Sequence, residues 1–156
     1  MRELIYAPHV VAACTSPGGI PKRPHPRTEV FFSGLKGDGH NHAKHNTPLQ
    51  AVSLQDVEML EDLCREGFDL SCGSTGENLA VRNMHVNRLP VGTILEFEGG
   101  VVLELTKVRK PCYVLDAIDP RLKQVIEGRC GFYAQVLREG VITAGEYIQV
   151  KETVRM

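Results

Sequence analysis

The stretch Thr93-Ile94-Leu95-Glu96-Phe97-Glu98-Gly99-Gly100-Val101-Val102-Leu103-Glu104-Leu105-Thr106-Lys107-Val108 decides the fold. Leu95 and Phe97 alternate with Glu96 and Glu98, the period of a strand with one face buried and one wet. Gly99-Gly100 supplies the residues that a tight hairpin turn requires. Val101, Leu103 and Leu105 then return on one face. The chain runs on directly into Arg109-Lys110-Pro111-Cys112-Tyr113. Pro111 cannot donate to a ladder, so the second strand is expected to stop near Lys110 and leave Cys112 at a rim. Lys110 and Cys112 lie two residues apart, on the same side of an extended chain, and a neighbouring cation favours the thiolate, the form that attacks sulfur or binds metal. Burial as a small apolar residue is the alternative for Cys112. Cys130, beside Arg129, meets the same charge criterion.

Outward from this hairpin the pattern stays rich in strands. Residues 9–15 read as a first strand that buries Cys14, residues 28–32 as a second, and residues 129–137 as a later one, followed by closing strands at 141–142 and 147–150. Residues 49–53 read as a short strand entering the clearest helix, where Ser53 and Asp56 approximate a capping box. Val57, Leu60, Leu63 and Cys64 form the helix's apolar stripe, and Gly67 ends it. Asp119-Pro120 opens a second short helix that buries Leu122, Val125 and Ile126 and ends at Gly128. Fifteen glycines and nine prolines in 156 residues agree with many turns. The fold expected is mainly β, a barrel with a few short helices packed on it, in a single domain over residues 1–156 with its core at about 9–150.

Composition restricts the function classes. A net charge of -1 offers no reason to expect nucleic acid or an anionic membrane as partner, so any anion site must be local. No run approaches the length of a membrane span. Val11-Ala12-Ala13-Cys14 resembles a lipoprotein cleavage box, but Glu3, Pro8 and His9 interrupt the apolar stretch that a signal needs. Five cysteines at 14, 64, 72, 112 and 130, with no CxxC pair, exclude a zinc ribbon and a thioredoxin motif. They suit a reducing cytoplasm, the expected location, better than a disulfide framework.

Three loops carry polar groups suited to a site. Residues 17–27 hold four prolines, which argue against a regular element, and Lys22, Arg23 and Arg27, which can hold a phosphate or carboxylate. Residues 34–45 hold Asp38 and then His40, His42 and His45, a metal-ligand or acid–base cluster, or else a polar pocket lining. Their glycines are not spaced as in a dinucleotide fold or a P-loop. In Cys72-Gly73-Ser74-Thr75-Gly76-Glu77-Asn78-Leu79, two glycines and four polar side chains can present hydrogen-bonding groups and backbone N–H groups to a ligand, or simply make a tight connection.

Pro21-Lys22, Gly34-Leu-Lys-Gly-Asp-Gly-His40, His45, Ala51-Val52, Gly76-Glu-Asn-Leu79, Gly92, Lys107-Val-Arg-Lys-Pro-Cys112, Arg129-x-Gly131-x-Tyr133-Ala134, Gly140 and Gly145 occur in an order that resembles the MOSC domain, the C-terminal domain of molybdenum-cofactor sulfurases. The resemblance covers nearly the whole chain and separates Cys112 from Cys130. It implies a compact β-barrel with one functional cysteine after proline, at Cys112. That cysteine would carry a persulfide and deliver sulfur for metal–sulfur cofactor assembly, or ligate molybdenum in a cofactor-binding module or a reductase component for N-hydroxylated compounds. The implied cofactor is molybdopterin, with Lys22, Arg23, Asp38, His40, His45, Glu77, Asn78, Arg109 and Arg129 as candidates to hold it. The implied partners are a cysteine desulfurase or other sulfur donor and a molybdoenzyme or cofactor acceptor. The wider superfamily adds pyridoxal phosphate as an association. Gln50, where the family usually has a basic residue, and Glu146, in place of an aspartate, depart from its pattern. A non-catalytic domain binding zinc on the three histidines or an anion on the basic loop is a further alternative.

Overall fold

The computed structural model describes residues 7–39, 47–111 and 113–151. The hairpin forms as its alternation requires. β7 (Ile94–Phe97) pairs antiparallel with β8 (Val102–Val108) across a turn in which Gly100 takes a φ of 97°. Leu95, Val101, Leu103 and Leu105 are fully buried and join the main core.

β1 (His9–Thr15), β2 (Arg23–His25), β5 (Val52–Asp56), β6 (Leu79–Arg82), β9 (Phe132–Arg138) and β11 (Ile148–Lys151) complete an eight-stranded sheet in the order β11-β7-β8-β9-β5-β6-β1-β2. β3 (Arg27–Phe31), β4 (Gly34–Leu35) and β10 (Gly140–Thr143) make a second sheet in the order β10-β3-β4. The chain is mainly β, as expected, but the ladders form no closed barrel among the described residues. The start of β1, the strand next to the β2 edge, meets the chain entering β11 at the opposite edge through a bridge between His9 and Tyr147, extended by Val10 N–H to the Glu146 carbonyl at 2.9 Å and Gly145 N–H to the Val10 carbonyl at 2.7 Å.

β5 and β6 are the parallel pair, joined by the crossover helix α1 (Val57–Arg65). A parallel pair covered on both faces buries alternate polar positions too, and every residue of β5 is buried, including Ser53, Gln55 and Asp56. This corrects the expected capping box. The strand extends through Asp56, Ser53 lies inside it, and the Asp56 carboxylate turns away from the helix to accept the Val86 N–H at 2.9 and 3.1 Å.

α1 buries Val57, Leu60 and Leu63, and Gly67 follows it at a φ of 105°. Leu60 and Leu63 pack with Phe68, Leu70, Leu115 and the short helix α2 (Leu122–Val125), building a second core through Leu122 and Ile126. Cys64, expected in the stripe, is exposed. The chain after Gly67 leaves the stripe's last turn uncovered along a groove of about 490 Å³, and the thiol donates to the Leu70 carbonyl at 3.1 Å.

The four prolines of residues 17–27 do not exclude a strand, contrary to expectation. Arg23–His25 pairs with Ala13–Thr15, and because β2 is an edge strand, Pro24 removes no donor the sheet needs. Among the described residues, no helix is long and apolar enough to cross a membrane.

Candidate functional site

Four charged side chains meet where the ends of β1 and β8 face the turn before β6. Lys22 Nζ lies 2.8 Å from Asp38 Oδ2, with the lysine side chain 12% exposed and the carboxylate fully buried. Asn78 Nδ2 donates to the same oxygen at 2.9 Å and to the Cys14 carbonyl at 3.1 Å, while Asp38 Oδ1 accepts the Ser16 N–H at 3.1 Å. Asp38 thus pins the chain that follows β4 to the end of β1. Asn78 Oδ1 accepts the Ser53 N–H at 3.0 Å and its backbone N–H reaches Ser53 Oγ at 3.1 Å, which explains a serine inside a buried strand.

Glu77, also fully buried, accepts the Gly73 N–H at 2.7 Å, the Thr75 N–H at 3.2 Å and the Thr75 hydroxyl at 2.6 Å. Ser74 N–H donates to Ser71 and Gly76 N–H to Gly73. The glycine turn therefore spends its N–H groups on its own carbonyls and on Glu77, and does not offer them to a ligand. The two glycines answer a packing demand. A Cβ on Gly73 would lie 2.0 Å from the Lys22 carbonyl oxygen, and one on Gly76 2.9 Å from Ile20 and 3.2 Å from the Arg109 guanidinium.

Arg109 donates its guanidinium to the Thr75 carbonyl and, at 3.4 and 3.5 Å, to the Thr75 hydroxyl and the Cys130 carbonyl. Burial works against its charge, but Cys130, Tyr133 and Glu77 around it hold its pKa above the ordinary value. Burial lowers the pKa of Lys22, with Asp38 opposing and Arg109 assisting. The result is a balanced set of two cations and two carboxylates that sense one another. Cys14 lies fully buried beside it; burial, then Glu77, Cys72 and Asp38, push its thiol up to about 12, so it is an inert core group as expected. Cys72, half-buried, is raised by burial and Glu77. Cys130 is buried in the second core.

The structure brings together Lys22, Asp38, Glu77, Asn78 and Arg109 from the expected set. Arg23 is exposed on β2. Arg129 does not join them: its guanidinium pairs with Glu66 at 2.6 and 3.1 Å and with the Val125 carbonyl at 2.7 Å, on the helical side. Arg129 precedes β9, before the chain turns at Gly131 toward the sheet, so the guanidinium meets α1 and α2 instead of the loops. Cys112, His40, His42 and His45 lie outside the described residues. Thr75 was legible as a polar turn residue, but the site contacts of Ser16, Ser53 and Cys14 were not: Ser53 reads as a helix cap, Cys14 as strand core and Ser16 as ordinary loop sequence.

The phosphate of a molybdopterin would need unpaired donors at this site. Lys22 is paired with Asp38, Arg109 with Thr75 and Cys130, Arg129 with Glu66, and the glycine turn with itself. These described groups do not fit a phosphate cradle, because each is already matched within the chain.

The sequence profile of the MOSC domain matches residues 38–149. Among curated proteins, the chain is 33% identical over 135 residues to a protein named "Reductase" from Gibberella moniliformis (strain M3125 / FGSC 7600), covering 79% of this chain and 24% of that one. It is 29% identical over 142 residues to the uncharacterized protein YflK of Bacillus subtilis (strain 168), covering 85% and 62%. The chain thus spans about a quarter of the first relative's length and under two thirds of the second's. Two solved structures share the fold: the YuaD protein of Bacillus subtilis (TM-score 0.77, 17% identity, 95% and 97% covered) and YiiM of Geobacillus stearothermophilus (TM-score 0.76, 23% identity, 93% and 75% covered). With the family's profile matched across most of its length, this chain belongs to the MOSC domain family.

Proposed function

We propose that the protein is a sulfur carrier in molybdenum-cofactor-related metabolism, with a persulfide on Cys112. The observation that carries this reading is the end of β8. The ladder stops at Val108, and Arg109 is then held by its backbone N–H on the Gly131 carbonyl at 3.0 Å and by its guanidinium on Thr75. Lys110 is exposed immediately before Pro111. Two cations therefore precede the cysteine by two and three residues, on a segment released from the sheet. A thiolate there attacks the outer sulfur of a donor persulfide. The donor's S–S bond breaks, the donor leaves as its own thiolate, and the new S–S bond is on Cys112. No net oxidation occurs, so no redox cofactor is required for the transfer. Sulfur would come from a cysteine desulfurase or other persulfide donor and pass to a cofactor or molybdoenzyme acceptor.

Incubation with a desulfurase and cysteine should add the mass of one sulfur atom to the Cys112 peptide, and Cys112→Ser should abolish it. Labelling that follows Cys72 or Cys130 instead would overturn the assignment. The relative named "Reductase" favours a second reading, a molybdenum-cofactor-binding component with Cys112 as metal ligand. The internally matched cations count against it. Molybdenum and pterin co-purifying in fixed ratio from a host that makes the cofactor would reverse the preference.

A further inference from the structure

Gly131 is the point at which three elements of the molecule meet. Its φ of 89° and its approach to β5, where a Cβ would lie 1.9 Å from the Leu54 carbonyl oxygen, admit only glycine. From the other side, the Asn87 side chain treats it as a strand would. Asn87 Oδ1 accepts the Gly131 N–H at 2.9 Å, and Asn87 Nδ2 donates to the Gly131 carbonyl at 3.2 Å. A donor and an acceptor on the same residue fix which way the amide faces. That same carbonyl receives the Arg109 N–H at 3.0 Å, just beyond the Val108–Phe132 pairing that ends the β8–β9 ladder.

Asn87 is itself held. It belongs to the 3-10 turn Val86–Arg88, whose first N–H is bound by both oxygens of Asp56. The turn follows two non-glycine residues at positive φ, Asn83 at 65° and His85 at 52°. The Glu58 carboxylate takes the Asn83 N–H at 2.8 Å. Two carboxylates from the β5–α1 junction therefore stabilise an otherwise unfavourable loop conformation, and the side chain so placed grips the peptide on which Arg109 is anchored.

We infer that Asn87 is a positioning residue for Arg109, acting through the Gly131 peptide, and so fixes where this cation sits on the chain that runs through Lys110 and Pro111 to the proposed sulfur-carrying cysteine. The functional half of this inference rests on the carrier reading above. Without the Asn87 amide, Gly131 keeps an unmatched N–H and its carbonyl retains only the Arg109 N–H. The point where Arg109 leaves the sheet, and the reach of its guanidinium to Thr75, are then no longer defined.

The test is a double-mutant cycle on the full chain: wild type, Asn87→Ala, Arg109→Ala and the pair. The readout is iodoacetamide alkylation of each cysteine-containing peptide, followed by mass spectrometry across pH. Asn87→Ala is expected to slow Cys112 alkylation at neutral pH about threefold to tenfold, the size of a thiol pKa raised by half to one unit. In the Arg109→Ala background the same change should have little further effect, because both act through one contact. Cys14 and Cys130 should stay protected; if they gain reactivity together with a change at Cys112, the role is merely structural and the inference is overturned. Wild-type Cys112 reactivity in folded Asn87→Ala, or full additivity, also overturns it. Should Asn87→Ala not fold, the neutral Asn87→Ser keeps a hydroxyl but is too short to hold the Gly131 N–H and carbonyl together, and carries the same expectation. The cycle needs no sulfur donor. A wild type that takes up no sulfur therefore overturns the carrier reading, while the cycle still decides the positioning role.

Discussion

Arg109 and Arg129 lie twenty residues apart at opposite ends of the β8–β9 connection, and each precedes a cysteine that the local sequence marks as reactive. The molecule uses them in opposite ways. Arg129 makes a two-pronged pair with Glu66 at the surface of the helical face, where Asp119–Arg121 and Glu61–Arg82 do the same. These pairs sit in water, which screens them, and each contributes little to stability. Arg109 and Lys22 instead face buried carboxylates across the loops at the sheet's end. There the attraction is less screened, and so is the cost of leaving one charge alone. Pairing of charges by itself thus says little. Burial decides whether a pair is decoration or a structural requirement.

The largest effect should follow from breaking the buried set on one side. Lys22→Met leaves Asp38, whose side chain has no solvent exposure, with only neutral donors from Ser16 and Asn78. Removing one partner of a buried pair costs about 3–5 kcal/mol, measurable as a lower urea midpoint at unchanged m. Adding Asp38→Asn, which removes the stranded charge and keeps an acceptor oxygen for the Ser16 N–H or the Asn78 amide, should recover part of that loss. A Lys22→Met protein as stable as wild type would show that the buried pair is no more demanding than the surface pairs.

The hairpin, the α1 stripe and the Gly67 and Gly128 stops were readable because they rest on period and on backbone geometry, which one residue or one face declares. Lys22, Asp38, Glu77 and Asn78 stand in turns and loops and Arg109 at the end of a strand; the family resemblance grouped them, and they do converge. Their partners could not be read, because Asp38 meets Ser16 and Asn78 only after β1 and β6 have paired. Gly73 and Gly76 read equally as a ligand cradle or as a tight connection, because the same sequence signal arises when one loop must pack closely against another. Asn87 gave no signal at all. Its role exists only because β5, the 86–88 turn and β9 are brought side by side, a contact spanning forty-four residues of chain.

A smaller effect separates a third kind of charge, the lone buried carboxylate. Burial, helped by Glu58, raises Asp56 to about 6 from 3.8; the Val86 N–H and His85 oppose the shift. The folded protein then binds this proton more tightly than the unfolded chain does. Asp56's contribution favours folding most below about pH 4 and is lost as pH climbs through about 6. Asp56→Asn keeps an acceptor for the Val86 N–H and has no charge to bury. The variant should gain on wild type as pH rises from 4 to 7, and the two melting curves should converge toward pH 4. Glu58 on α1 and exposed His85 remain in both proteins, so the difference curve reports Asp56 together with its coupling to these two groups. A difference that grows toward acid would reverse the assignment.

The smallest effect belongs to Arg129, and its smallness is informative. Arg129→Ala removes the Glu66 pair and the bond to the Val125 carbonyl, both on the helical face. The arginine draws the Glu66 carboxyl below its usual range, so the variant should return it toward an ordinary glutamate, a change visible by NMR titration. Gln55 binds the Arg129 carbonyl, not its side chain, so the backbone leading into β9 keeps its anchor. The melting temperature should therefore stay within replicate scatter, and Cys112 should alkylate at the wild-type rate. A slowed Cys112 would connect the helical face to the loops after all and return Arg129 to the site from which its geometry removes it.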